Sequence, residues 1–320
     1  MISLSLAQLQ ELVSIDAAAI SAITDAYVAV ADGRANVPPV GYLGLPAQNA
    51  DCHIKYGYIA GDPIFVVKIA SGFYDNPKRG LPSSSGMMIA ISAVTGATVA
   101  ILNDEGWLTN LRTGIGGAVA TFALCRPDSE VFAVLGTGTQ ARFQIRAAAA
   151  LAKRPVQFLV WGRSVQKARE LADEFAGSPI DVSVAADLEE ACRSADVIIA
   201  TTPSTAPYVA SEWITPGTHI TAVGADAPGK QELDPALIAR ADLLVADLAS
   251  QSLDHGEFAA AFQAGLFRQE DCLELGAILN GSKPGRGSSD AITIADLTGL
   301  ATQDIAITRT ALQRVPDLVM

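Results

Sequence analysis

The sequence predicts an α/β protein, a doubly wound parallel sheet accompanied by a second, smaller α+β part. Three observations predict it. From Val131 onward short apolar runs alternate with helical stretches of about 10–15 residues, the signature of βαβ units. The strand interiors VIIA and ITAV carry no charge, which suits strands covered on both faces. Before about residue 115 the texture differs: short segments rich in Gly, Pro and aromatics, with strict alternation in DCHIKYGYI and FVVKIASGFY that reads as strands.

Taken in order, MISLSLAQLQELVSIDAAAI predicts an N-terminal helix. It lacks a basic n-region, and Glu11 and Asp16 interrupt its apolar run, so no signal peptide is expected. No run of about 18 uncharged apolar residues predicts a membrane span. VFAVLG predicts a strand and QARFQIRAAAALAK a helix; QFLVWG and SVQKARELADEFA repeat the pair. DVSVA, a helix around DLEEACRSA, and the strands DVIIA, HITAVGA and DLLVAD follow. AITRTALQRVPD predicts a last helix that returns to the first domain. The expected domains are 1–113 with 300–320, and 114–299.

A chain of 320 residues, 50% hydrophobic, can bury one large core or two ordinary ones. Its formal net charge of −12 argues against nucleic acid as partner. Cys52, Cys125, Cys192 and Cys272 are far apart and form no C-x-x-C, so buried thiols in a reduced cytoplasm are expected, with no metal site.

The strongest motif is the turn after VFAVL. Gly136-Thr137-Gly138-Thr139-Gln140-Ala141 joins a buried strand to a helix. The first glycine permits the tight turn and the second lets backbone approach a pyrophosphate. Ala141 replaces a third glycine where helix packs on strand. Free N–H groups at the helix start would hold the phosphates. At the head of several βαβ units this predicts a Rossmann-type dinucleotide site. The next strand ends in Trp161-Gly162-Arg163-Ser164, with no acid to hold a ribose 2′-hydroxyl. Arg163 and Ser164 suit a 2′-phosphate, yet a guanidinium also stacks on adenine. NAD(H) and NADP(H) both stay open. Thr201, Thr202 and Pro203 end a further strand, where such crevices form.

VVKIASGFYDNP, GLPSSSG, LTNLRTGIGGAVA, VLGTGTQA, AVGADAPGKQELD and DLTGLATQDIA occur in that order. Together they resemble the ornithine cyclodeaminase and mu-crystallin family, from about Gly33 to about Ala306. The resemblance implies a Rossmann domain, a substrate and dimerisation domain, a homodimer, and a small imino or amino acid as ligand.

Lys68 sits inside the apolar strand VVKIA, where an ammonium needs a partner or a reason. The resemblance implies a catalytic lysine that polarises or protonates an imine. The alternative is an edge-strand lysine facing solvent. Arg112, in LRTG at a helix start, matches the family's carboxylate-binding arginine; the alternative is a surface ion pair with Asp104 or Glu105. Thr113, at the same helix entry, is implied to contact a cofactor phosphate. Asp226 follows an apolar strand, and the resemblance makes it a catalytic residue facing nicotinamide and substrate; a turn-initiating aspartate is the alternative. Val223 and Gly224 would frame the nicotinamide, Thr298 and Gly299 would close over it, and Ser84 and Ser85 would line the substrate pocket.

Two departures matter. The segment VPPVGYLG lacks an arginine that many members carry after a proline, having Val40 or Gly41 there. The strand before Lys68 reads His53-Ile54-Lys55-Tyr56, where cyclodeaminases place a glutamate for a cationic substrate. His53 and Lys55 share one strand face. Facing the pocket, they would repel a diamino acid and welcome a second carboxylate; facing solvent, they would be an ordinary polar side. GADAPGKQELD is also closer to the alanine dehydrogenase form of this segment. The expectation is therefore an NAD(P)H-dependent reductase of a small α-imino acid, with iminosuccinate to aspartate first. Alanine dehydrogenase, ornithine cyclodeaminase and a non-catalytic mu-crystallin-like binding protein are the alternatives.

Overall fold

A computed structural model describes residues 1–316 and 318. The expected C-terminal limit at residue 320 lies outside the described residues, as do Asp317 and Val319. The chain forms two compact units, Met1–Arg112 with Leu300–Met320, and Thr113–Gly299.

The first unit opens with β1 (Ile2–Ser5), α1 (Leu6–Leu12) and α2 (Ala17–Ala31). This corrects the expectation of one N-terminal helix. Ser5 and Gln8 form a capping box, the Gln8 side chain accepting the Ser5 N–H at 2.9 Å, so helix starts only at Leu6. Asp16 caps the second helix by accepting the Ala19 N–H at 3.0 Å. Ile2–Ser5 are left extended and pair in parallel with Ala100–Asn103. Then come β2 (Ala35–Asn36), β3 (Gly41–Leu45), β4 (Ala50–Ile59), β5 (Ile64–Phe73), β6 (Ser84–Ser92) and β7 (Thr98–Asn103). The sheet order is β1-β7-β6-β5-β4-β2, with β3 also on β4. Its central pairs are antiparallel, and their register sets Lys55 beside Lys68 and Lys68 beside Met88. The unit's last helix, Ala301–Gln313, lies on that face, against β4, β5, β6 and α2.

Helix α3 (Trp107–Leu124) contains the boundary between the units. The second unit continues with β8 (Val131–Leu135), α4 (Thr139–Leu151), β9 (Gln157–Trp161), α5 (Val165–Asp173), β10 (Asp181–Val184), α6 (Leu188–Ser194) and β11 (Val197–Ala200). After these come β12 (His219–Ala222), α7 (Pro235–Arg240), β13 (Leu243–Ala246), α8 (Ala249–His255), α9 (Ala259–Gln263), β14 (Cys272–Glu274), α10 (Leu275–Leu279) and β15 (Thr293–Asp296). The helix Ala301–Gln313 is thus α11. Eight strands form one parallel sheet in the order β10-β9-β8-β11-β12-β15-β13-β14. All residues of β11, β12 and β15 are buried, as uncharged interiors require. From β8 the chain turns first to β9 and later to β11 on the opposite side. That reversal marks the switch point of a doubly wound sheet.

Among the described residues, no single helix is long and apolar enough to cross a membrane.

Candidate active site

In the first unit, a charged cluster is built on the covered face of the sheet. Lys68, on the central strand β5, is 2% exposed. Its Nζ lies 2.9 Å from Asp304 Oδ2 and 3.1 Å from Oδ1. The edge-strand alternative for Lys68 is thereby excluded. Arg112 donates from Nε to Asp304 Oδ1 at 3.0 Å and from Nη1 to Gln303 Oε1 at 3.2 Å. Gln303 in turn donates to the Tyr27 hydroxyl at 2.8 Å. Held on two edges, the guanidinium is a fixed plate rather than a mobile arm.

Arg112 makes no surface pair with Asp104 or Glu105. Nor does it stand at a helix start, as its sequence context suggested. Helix α3 begins at Trp107 because Asp104 accepts the Leu108 N–H at 2.8 Å, after a turn in which Glu105 and Gly106 have φ of 53° and 84°. Arg112 and Thr113 therefore lie in the second turn. The Thr113 carbonyl accepts a hydrogen bond from Gln144 Nε2 at 3.1 Å.

The electrostatics follow from burial. Desolvation first, then the Arg112 and Lys55 charges, push the Lys68 ammonium down to about 7, against the pull of Asp304. Burial alone would raise the Asp304 carboxyl. The cations Lys68, Arg112 and Lys55 overcome it and hold the group below the usual carboxylate range. Asp304 was not singled out from the sequence.

Lys55 is buried on the same face, while Ile54 and Tyr56 point outward. His53 shares that face, 3.6 Å from the Asp51 carboxylate and edge-on to Tyr42. The face is thus cationic around Lys68 and mixed around His53. Ser84 and Ser85 sit at the exposed start of β6 and are not brought into the buried cluster.

In the second unit, the glycine turn joins β8 to α4. Gly136 has φ of 130°, and a Cβ there would fall 2.4 Å from Thr201 Oγ1. Gly138 is the N-cap of α4 and supplies no side-chain cap to it. A Cβ at Gly138 would meet nothing within 4 Å, so the space beside it is open. Thr139 and Gln140 open that helix, and Ala141 is fully buried against the sheet. Arg142, missed from the sequence, steadies the turn: its Nη1 donates to the Thr137 and Gly138 carbonyls at 2.8 and 3.0 Å, while Glu174 holds its Nε at 2.9 Å.

At the end of β9, Arg163 is exposed and Ser164 caps α5 by accepting the Lys167 N–H at 3.4 Å. Thr201 Oγ1 donates to the Leu135 carbonyl at 3.0 Å, and Thr202 donates twice to Glu232. Pro203 follows directly. Val223 is buried, and the Gly224 N–H also donates to Glu232. Asp226, 44% exposed on the loop after β12, pairs with Lys230 at 2.6 Å. Asp247 accepts from the Gly299 N–H at 2.6 Å and from Thr298 Oγ1 at 3.0 Å.

The sequence matches the profile of the ornithine cyclodeaminase/mu-crystallin family over residues 2–317. The chain belongs to that family. Among its relatives, the alanine dehydrogenase of Archaeoglobus fulgidus is 36% identical over 94% of this chain and 91% of that protein. Two solved structures of the family share the fold. An archaeal alanine dehydrogenase dimer with bound NAD superposes with a TM-score of 0.90 at 34% identity, covering 98% of this chain and 95% of that one. The iminosuccinate reductase of Paracoccus denitrificans with NAD+ does so with a TM-score of 0.88 at 32% identity, covering 98% and 95%. The resemblance read from six motifs is therefore a family membership that extends over nearly the whole chain.

Proposed function

We propose that this family member is a nicotinamide-dependent oxidoreductase that reduces a small α-imino acid to an amino acid, with iminosuccinate to aspartate as the preferred conversion. The observation that carries the reading is the buried Lys68–Asp304–Arg112 cluster with Lys55 beside it on one sheet face. The relatives support the reaction class: one is an alanine dehydrogenase and another an iminosuccinate reductase.

In this reading the first unit is the substrate domain and the second binds the dinucleotide. The glycine turn Gly136–Ala141, Thr113, Thr201–Pro203, Val223, Gly224, Thr298 and Gly299 hold it. Arg163 and Ser164 take the adenosine ribose of either NAD(H) or NADP(H). The bound reduced dinucleotide supplies the hydride, two electrons to the imine carbon. Arg112 clamps the α-carboxylate and so orients that carbon. Lys68, as ammonium, gives a proton to the imine nitrogen and is left as the amine, to be reprotonated from solvent. A pKa near 7 leaves both forms populated at neutral pH, which suits proton transfer in either direction. Asp226 orients the forming amine, and Ser84 and Ser85 line the substrate's approach. Lys55 and His53 receive the distal carboxylate. A cation in place of the cyclodeaminase glutamate opposes ornithine, whose side chain is itself a cation.

The relation to an alanine dehydrogenase at 36% identity favours iminopyruvate as the second substrate candidate. We further propose a homodimer. The outer face of the first sheet exposes Ile54, Tyr56 and Met87, with Ile69 in register between Ile54 and Met87, and the archaeal relative is a dimer. A second copy is the occupant this face fits. The four cysteines are free, which suits the reduced cytoplasm.

The test is loss of nicotinamide absorbance with oxaloacetate plus ammonia, beside pyruvate plus ammonia, with NADH and NADPH separately. Faster oxidation with oxaloacetate supports the dicarboxylate reading. Oxidation with pyruvate alone makes the protein an alanine dehydrogenase. Ammonia release from ornithine without net oxidation returns it to the cyclodeaminases. Dinucleotide binding without turnover makes it a binding protein.

A further inference from the structure

Glu232 is fully buried at the carboxyl ends of β11 and β12, a costly place for a carboxylate unless it is fully engaged. Its Oε1 accepts from the Thr202 N–H, the Thr202 hydroxyl and the Tyr208 hydroxyl, each at 2.7 Å. Its Oε2 accepts from the Gly224 N–H at 3.0 Å. The segment carrying Glu232 is itself pinned: Glu257, also buried, accepts the Glu232 and Leu233 N–H groups at 2.9 and 2.6 Å. Tyr208 stacks on Trp161, the last residue of β9, with ring centroids 5.9 Å apart. Packing at this junction leaves no slack. A Cβ on Gly224 would fall 2.1 Å from the Thr202 carbonyl oxygen and 2.3 Å from Glu232 Oε2. One carboxylate therefore ties together the segments that leave β11 and β12, and through Tyr208 it reaches the end of β9. In an open α/β sheet these are the strand ends that form a dinucleotide crevice.

We infer that Glu232 is the positioning residue of the dinucleotide crevice: without touching the cofactor, it fixes the relative placement of Thr202, Gly224 and Tyr208 and so sets cofactor affinity. Burial holds the Glu232 carboxyl above its ordinary value, and the hydrogen bonds from Tyr208, Thr202 and Gly224 offset this only in part.

The inference rests on the dinucleotide reading of the second unit, and the experiment separates the two. NADH and NADPH are titrated by nicotinamide fluorescence into the full-length wild type, Glu232→Gln and Tyr208→Phe. Thermal melting without dinucleotide is measured in parallel, as is KM for the imino acid at saturating dinucleotide. Glu232→Gln keeps the shape but presents an amide to the Gly224 N–H. It is expected to weaken dinucleotide binding about tenfold or more, with imino-acid KM changed less than about threefold. Tyr208→Phe keeps the stack on Trp161 and loses one donor; a weakening of about threefold to fivefold is expected, and it carries the test if Glu232→Gln fails to fold. Lower melting temperature with unchanged dinucleotide affinity would overturn the inference, because Glu232 would then only stabilise the fold. A wild type that binds neither dinucleotide would overturn the underlying reading as well.

Discussion

The first sheet buries charge in the middle of its strands, whereas the second buries it only where strands end. In the first unit, Lys55 and Lys68 face α11 from adjacent positions of β4 and β5, and Asp304 and Arg112 complete the cluster. In the second, the interiors of β11 and β13 are apolar, while Glu232, Asp247 and Asp296 gather at the carboxyl ends and in the loops beyond. On the proposed function, the difference follows from what each site would do. A proton donor needs a perturbed pKa, and only a desolvated position with chosen neighbours gives one. A cofactor cradle needs fixed backbone, and carboxylates that accept several N–H and O–H donors fix it. On that reading, one sheet uses burial to make a group reactive, and the other uses it to make loops rigid.

The largest effect that would sharpen this contrast is at Lys68. Lys68→Met is expected to lower kcat/KM for the imino acid by about 10²- to 10⁴-fold. Folding should survive, because Arg112 still pairs with Asp304. Stability gives a second readout. Lys68 has its pKa depressed from 10.5 to about 7, so between those values the unfolded chain binds the proton that the folded chain lacks. This group's contribution to stability therefore rises with pH across that window, and Lys68→Met should flatten the rise in urea denaturation. A variant with near-normal turnover would break the contrast and make the buried lysine structural.

Asp304→Asn comes next. Removing the anion from beside Lys68 and Arg112 leaves buried positive charge uncompensated, a loss of about 3–5 kcal/mol by denaturant titration. It also removes the group that raises the Lys68 pKa. In the wild type, the reductive kcat should fall as pH rises through about 7, because the acid form of Lys68 is lost. In Asp304→Asn that midpoint should move to lower pH. A destabilised variant with an unmoved midpoint would confine Asp304 to a packing role.

How far the sequence displayed these groups depended on what surrounds each. Lys68 stood out because a cation inside VVKIA needs a partner or a reason and the family resemblance supplied one; the edge-strand alternative fell only when the sheet order placed β5 inside. The glycine turn stood out by its spacing between strand and helix, although only Gly136, with φ of 130°, has a backbone that few other residues allow; Gly138 is extended. Asp304 was hidden because an acid in ATQDIAITR reads as an ordinary helix surface. Only packing shows that α11 is covered nearly all round, from Ala301 to Thr308 without a break. Glu232 was hidden because two of its donor residues, Thr202 and Tyr208, lie 30 and 24 positions away in the sequence. The helix starts at Leu6 and Trp107 were misread because Ser5 and Asp104 cap helices within continuous patterns. For β4, alternation put His53 and Lys55 on one face, but not which face is covered. Here the apolar Ile54 and Tyr56 point outward, a reversal that the proposed dimer explains. Ile54→Lys with Tyr56→Lys should then convert the dimer to monomer in sedimentation, and a wild-type monomer would remove that explanation.

The smallest effect is at Lys55, and it decides between two roles for one charge. If Lys55 receives the distal carboxylate, Lys55→Met should raise KM for the oxaloacetate-derived imine about tenfold and leave the pyruvate-derived imine within about twofold. Lys55 also pushes the Lys68 pKa down, so its removal should move the reductive pH midpoint upward, opposite to Asp304→Asn. The two readouts are independent, because distal-carboxylate recognition appears in KM and pKa tuning in the pH dependence of kcat. A shifted midpoint with unchanged substrate preference would assign Lys55 to Lys68 alone. The dicarboxylate preference would then have to come from elsewhere, and the mixed face around His53 and Asp51 would be the next place to cut.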